Sequence, residues 1–432
     1  MKWSAHLYLT NTNDGLMKRL EPTRTDNSSL EKFKTMIRMR TKAVFTEAQE
    51  IVKTLSSSSR SSMSIQFVES EVRKTRLSYL DSEDVQRIVT LLFDMSDDAR
   101  RAFLDTEPRF WVQGSYKYKT LNKPYHTPPQ QMDIDDGTYM PMEMFKEQPL
   151  VGHELLLLLV DASLASLAGE NSGWKALKKP TCGRIVIEEM NLHVDVPMYA
   201  IPKEKFLTRE VAKSLTMDSV VGIESIFTES AKQELDDDSV YLAVRGNDKW
   251  MKSDPETVAH WFKLAVKRHK EPMRQICRYL KAWRDVQWKS PELSSIALMK
   301  CVVDIFDNTA MPDTEDHGEF LLTVTEQLAT KLKEGIASPD TSDQGRLLFP
   351  KENMDKDTVQ NIIATADNLH KDFDRALKRA STKSEVLKIL NGLFGDSVVS
   401  EDLIKPWVSM PAYQKPRQLQ REIQMNDSMT SA

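Results

Sequence analysis

The chain has 432 residues, with 59 Lys and Arg against 64 Asp and Glu, a formal net charge of −5, and 40% hydrophobic and 28% charged residues. That length supports two or three cored units, and the acidic balance argues against a protein whose main work is to coat nucleic acid, since phosphate binding of that kind carries a strong basic excess. Cys182, Cys277 and Cys301 stand in no disulfide or metal-binding spacing, the 14 glycines form neither a GxGxxG nor a GxxxxGK[ST] loop, and the most apolar run, Leu155 to Val160, falls far short of the ~20 residues that span a bilayer. A cytoplasmic protein without membrane insertion is expected.

In chain order, apolar residues recur at helical spacing from Leu30 to Leu55 and predict one long amphipathic helix, broken by the serine-rich stretch Ser56 to Ser62. Two shorter helical patterns follow, Ser82–Phe93 and Ser96–Asp105. Between Phe110 and Tyr199 the texture changes to short strand-like pieces, interrupted at 116–131 by a segment with three prolines and no period, which reads as a long loop or insertion. Beyond about residue 205 the pattern is mostly helical, with loops at Glu234–Asp238 and Ala337–Gln344. The last stretch, Ser409 to Ala432, is polar and without apolar period, as in a flexible tail. The expected division is a helix-framed sheet unit over 1–205, a helical unit over 206–408 and a tail over 409–432.

Carboxylates carry the chemistry. In Gln131-Met132-Asp133-Ile134-Asp135-Asp136-Gly137, strand alternation sends Asp133 and Asp135 to one face and Met132 and Ile134 to the other. Two adjacent acids repel, and a hard cation such as Mg²⁺ is the usual compensation. In His193-Val194-Asp195-Val196-Pro197-Met198-Tyr199 the apolar Val194, Val196 and Met198 share one face, so Asp195 points to the other. Three acids on neighbouring strands supply what a two-metal phosphoryl-transfer site needs, with ions about 3.5–4 Å apart. A lone D-x-D is more often a solvated strand edge. Here Gly114-Ser115 precedes it, directly after the apolar strand Phe110-Trp111-Val112, and a glycine-serine turn offers backbone N–H groups and a hydroxyl to a closely approaching phosphate.

The ordered set h-G-S, D-x-D and a later Asp resembles the nucleotidyltransferase superfold of DNA polymerase beta, with a longer interval between Ser115 and Asp133 that the proline-rich loop accounts for. Downstream, Arg274 to Asp285 is helical by period, with Lys270, Arg274, Arg278 and Lys281 along one face, either solvated or a clamp for a triphosphate. Ser295 reads as a helix N-cap, and Ser253 with Glu256 as a capping box. With Gln113, Tyr118-Lys119-Thr120, Lys249-Trp250 and Ser253-Asp254-Pro255, these pieces resemble the bacterial cGAS/DncV-like nucleotidyltransferases, most closely their cyclic GMP-AMP synthase clade, over roughly residues 110–300.

The resemblance implies an α+β fold: a polymerase-beta-like lobe with a mixed or antiparallel sheet flanked by helices, a C-terminal helical lobe, and an active site in the cleft between them. It implies that Asp133, Asp135 and Asp195 hold two Mg²⁺ ions, with Mn²⁺ able to substitute. Gln113 and Ser115 would contact the donor's phosphates beside Gly114, Lys281 and Ser295 would grip the triphosphate, and Arg184 would meet a nucleotide phosphate. Tyr118 would stack on a base, Ser253 and Asp254 would line a base pocket, and Asp343 is the nearest candidate for base reading. The helix carrying Arg38 and Arg40 is where some relatives form a folate-like regulatory pocket. ATP and GTP would be joined in two transfers to a cyclic dinucleotide that reaches its effector in antiphage (CBASS) signalling without direct contact. In operons that encode ubiquitin-conjugation-like E1/E2 enzymes, the tail would be conjugated through Ala432. The alternatives are an RNA-tailing or other template-independent nucleotidyltransferase, which the net charge of −5 disfavours, and a non-catalytic nucleotide sensor, which would be expected to lack one of the acids.

Overall fold

The computed structural model describes residues 2–57, 64–141, 149–202, 240–246, 250–340 and 345–408. Its centre is a mixed eight-stranded sheet. Strands β2 (Arg109–Gln113), β3 (Met132–Pro141), β4 (Trp174–Lys179), β5 (Cys182–Ile187), β6 (Leu192–Val196), β7 (Met198–Ile201), β8 (Tyr241–Leu242) and β9 (Met251–Lys252) run in the order β4-β5-β6-β3-β7-β8-β9, with β2 also pairing with β3; β1 (Trp3–Ser4) lies elsewhere. The ten-residue β3 holds the sheet together. Its first half pairs in parallel with β6, its second half in parallel with β7, and β2 runs antiparallel beside it.

Alternation decides the faces. Met132, Ile134 and Met140 of β3 join Ile185, Ile187, Val194, Val196 and Met198 in a core closed by the Arg24–Ser57 and Pro149–Glu170 helices. The first helix follows the predicted stripe, with Leu30, Phe33, Ile37, Val44, Ala48 and Val52 buried. The second corrects the expectation of strand-like pieces throughout Phe110–Tyr199. Leu155 to Val160 lies inside this 22-residue helix and is buried on all sides, so it has no apolar stripe for a 3.6-residue period to reveal. Gly152–Glu170 is the one helix among the described residues long and apolar enough to cross a membrane, and it is the core helix of the sheet lobe.

A second core gathers the helices Pro255–Gln287, Ser295–Asn308, His317–Glu334, Lys356–Asp374 and Lys383–Phe394. The expected unit 1–205 is not contiguous with the sheet lobe at its start. Ala5, Tyr8, Leu9, Leu16, Met17 and Leu20 are buried in the helical core, and Trp3–Ser4 pairs with Lys405–Pro406. Short amphipathic helices at His6–Thr10 and Leu16–Leu20 bury these side chains against whichever core offers a groove, and five-residue periods are too short to name it. The Pro255–Gln287 helix bends at Lys270 (φ 62°), just before Pro272.

Candidate active site

Backbone register assembles the site. Gln113 of β2 lies opposite Asp135 of β3, Asp135 opposite Asp195 of β6, and Asp195 opposite Arg184 of β5. Four of the sequence-selected residues thus form one row across four strands. Asp133 lies opposite His193 two residues along, on the same face. Asp136 points the other way, where its buried carboxylate accepts from Arg38 Nε and Nη2 at 2.6 and 2.5 Å.

Ligating atoms of Asp133, His193 and Asp195 lie within 4.8 Å of one another. Asp133 Oδ1 and His193 Nε2 are 3.2 Å apart, buried, and without a hydrogen-bond partner. Such orphaned polar atoms cost free energy unless a cation joins them, so the donor set fits a divalent metal ion. His193 Nδ1 lies 3.2 Å from Gln131 Oε1, which suits the tautomer with its proton on Nδ1 and leaves the Nε2 lone pair free. Sequence reading missed His193 as a ligand, although the alternation that pairs Asp133 with Asp135 also sets His193 beside Asp195.

Asp135 sits deeper. Burial first, then the charges of Asp133 and Asp195, hold its carboxyl well above the usual carboxylate range, against the opposing charges of Arg184 and Lys281. Gly114 explains the close packing: its φ is +62°, and a Cβ there would stand 1.9 Å from Asp135 Oδ2. The turn begins the short helix Gly114–Lys117, with Ser115 the residue after the glycine that packs on Asp135.

Several expected contacts take another form. The Gln113 side chain is buried between two tyrosines, donating to Tyr139 Oη at 2.6 Å and accepting from Tyr199 Oη at 3.2 Å, so it braces the site floor instead of presenting its amide to phosphate. Arg184 is committed to Asp195, from Nε to Oδ1 at 2.6 Å and from Nη2 to Oδ2 at 2.7 Å. Lys281 is buried and donates to Thr120 O at 2.6 Å; burial, then Arg284, pushes its pKa down to about 8, while the charge of Asp133 acts to raise it. Arg278 donates to Asn122 Oδ1 at 3.0 Å and Arg274 pairs with Glu271, so with Lys281 three of the four basic residues are engaged inside the protein, while Lys270 is exposed to solvent.

The caps shift by one residue in opposite directions. Asp254, not Ser253, caps the Pro255–Gln287 helix, accepting from Glu256 N at 2.9 Å, because Pro255 fills the first helical position. Ser294 caps the Ser295–Asn308 helix, and Ser295 Oγ accepts from Arg284 Nη1 at 2.8 Å. Tyr118 is largely buried against Phe262, with ring centroids 5.6 Å apart. Arg40 is tied to Glu170 and Ser166. Lys249, Asp343, Glu234–Asp238 and Ala432 lie outside the described residues.

The proline-rich segment joins the lobes at the site's edge. Gln130 Nε2 donates to Asp285 O at 2.9 Å and to Trp288 O at 2.8 Å, capping the C-terminal end of the Pro255–Gln287 helix, and Asn122 Nδ2 donates to Arg278 O at 2.9 Å. Lys281 is carried by that same helix. Its charge is felt by Asp133 and Asp135, although its ammonium is spent on Thr120 O.

The chain is similar to known proteins over its whole length. Residues 108–199 match the family described as the DncV-like nucleotidyltransferase domain of cyclic GMP-AMP synthase, and residues 270–406 match the cyclic GMP-AMP synthase C-terminal domain. The chain is 40% identical over 440 residues to the cyclic GMP-AMP synthase of Vibrio cholerae, covering 100% of this chain and 99% of that protein. It is 38% identical over 421 residues to one from Escherichia coli, covering 96% and 95%. The crystal structure of Vibrio cholerae DncV in complex with the linear intermediate 5′ pppA(3′,5′)pG superposes with a TM-score of 0.83 at 39% identity, covering 95% of this chain and 100% of that one. The apo form superposes with a TM-score of 0.82 at 39% identity, covering 94% and 100%. Sheet, carboxylate row and full-length similarity together place this chain in the DncV-like nucleotidyltransferase family of cyclic GMP-AMP synthases.

Proposed function

We propose that this chain joins ATP and GTP in two successive nucleotidyl transfers to a cyclic GMP-AMP second messenger. The observation that carries the reading is the convergence of Asp133, Asp135, His193 and Asp195 beside the Gly114 turn, in a chain similar along its whole length to cyclic GMP-AMP synthases. In each transfer a ribose hydroxyl oxygen bonds to an α-phosphorus, the bond from that phosphorus to pyrophosphate breaks, and the hydroxyl proton leaves. The first transfer gives a linear dinucleotide and the second closes it.

Asp133, His193 and Asp195 would hold the divalent cations, with Asp135 completing the set. We read these as two Mg²⁺ ions, replaceable by Mn²⁺; when bound they neutralise phosphate charge and make the attacking hydroxyl more acidic. Asp195 would help take up the hydroxyl proton. The Gly114-Ser115 turn would offer its backbone N–H groups and the Ser115 hydroxyl to phosphate oxygens, and the charge of the nearby Lys281 ammonium would help offset phosphate charge. Tyr118 and the Ser253-Asp254 segment bound the space on the helical side and are proposed to contact the bases. We extend the reading to a cytoplasmic antiphage pathway of the CBASS type, with the tail a substrate for E1/E2-like conjugation at Ala432. The tail's polar, small-residue composition supports that extension.

The variant Asp133→Ala with Asp135→Ala tests the assignment. It is expected to fold and to form no linear or cyclic dinucleotide from ATP and GTP with Mg²⁺ or Mn²⁺. Retained synthesis would remove the carboxylate row from the reaction.

A further inference from the structure

The Arg184–Asp195 pair is built into the sheet. The two residues face each other directly across the antiparallel β5 and β6 strands. Their side chains retain only 26% and 13% exposure, and each Asp195 oxygen accepts one charge-assisted hydrogen bond from a different guanidinium nitrogen. A two-pronged contact of this kind is stronger and more directional than a surface ion pair. Yet one of those same oxygens belongs to the only group among the described residues able to hold a metal ion. A cation shared by Asp133, His193 and Asp195 would take an oxygen that Arg184 already holds, and would stand close to its positive charge. Cation and guanidinium therefore compete for Asp195.

We propose that Arg184 is a built-in counter-ion that keeps Asp195 closed to cations until a nucleotide triphosphate arrives to take over the guanidinium. This inference rests on the metal-dependent reading above. Before nucleotide binds, Arg184 supplies positive charge to a cluster of three acids on neighbouring strands. An incoming triphosphate is a stronger multidentate acceptor for a guanidinium than one carboxylate. Transfer of Arg184 to its phosphate oxygens would free Asp195, so that cation and nucleotide load together. A site organised in this way has weak affinity for free divalent cations despite its acidic ligands. Arg184 acts on the metal through Asp195 and is in that respect a positioning residue.

The test is the affinity of the full chain for Mn²⁺ in the absence of nucleotide, read from the electron paramagnetic resonance signal of free Mn²⁺. Wild type is compared with Arg184→Lys, which keeps the charge but cannot hold both oxygens from a planar fork, and with Arg184→Gln. Losing one of two charge-assisted hydrogen bonds should tighten Mn²⁺ binding about tenfold in Arg184→Lys, and at least as much in Arg184→Gln. Adding Asp133→Ala to either variant should abolish the gain. Binding by Arg184→Lys that is unchanged, weaker or undetectable would overturn the competition while leaving the metal-dependent reading intact. A gain that survives Asp133→Ala would place the cation elsewhere and overturn both.

Discussion

Lys281 is a lysine held in the folded chain at a cost that depends on pH. Its ammonium is buried, donates to Thr120 O, and has its pKa pushed down to about 8, by burial first and by Arg284 second. The unfolded chain keeps that proton until about pH 10.4. Between these values the unfolded state binds more protons than the folded one, so stability rises with pH across the window. Relative to Lys281→Met, wild type should gain about 1–2 kcal/mol of stability between pH 8 and 9.5, measured by denaturant unfolding. Parallel curves for the two proteins would show that the lysine is not desolvated in this way. At the residue scale the acids were legible, because strand alternation alone puts Asp133 and Asp135 on one face. The partners of the basic residues were not. Lys281 and Arg278 are seven and four residues along from Arg274 on a helix whose charged face could as well have met water. What they meet is Thr120 and Asn122, more than 150 residues earlier in the chain.

At the scale of elements, the proline-rich connection between the Gly114 turn and β3 does more than lengthen a loop. Gln130 gathers four hydrogen bonds: it accepts from Tyr125 N and His126 N, and donates to the two carbonyls that end the Pro255–Gln287 helix. Truncation in Gln130→Ala leaves those carbonyls without their partner. It should lower the urea midpoint, with a stability loss of about 1–3 kcal/mol. An unchanged midpoint would mean that water replaces the amide. The sequence signalled this segment as aperiodic but carried no sign of its partners, since hydrogen bonds from one side-chain amide leave no periodic trace. The same limit hid the Pro149–Glu170 helix, where uniform burial erases amphipathicity, while the Arg24–Ser57 helix, buried on one side, was visible through its stripe.

Across the whole molecule there are two large cores, and the chain crosses between them more than once. The N-terminal residues pack in the helical core before the Arg24–Ser57 helix enters the sheet core, and β1 pairs with Lys405–Pro406 near the far end of the described chain. The opening charge balance takes on a local meaning here. Three acids, Asp133, Asp135 and Asp195, cluster in the row, and the basic groups whose charges act on them, Arg184 and Lys281, are already engaged inside the protein. Such a site suits two mononucleotides that bring their own negative charge and cations, whereas a long polyanion would need an exposed basic track. The most direct test is mass spectrometry of the product formed from an equimolar mixture of the four nucleoside triphosphates with Mg²⁺. The account predicts a phosphatase-resistant cyclic dinucleotide containing one adenine and one guanine. Products that remain linear, or that appear only as nucleotides added to RNA, would contradict it.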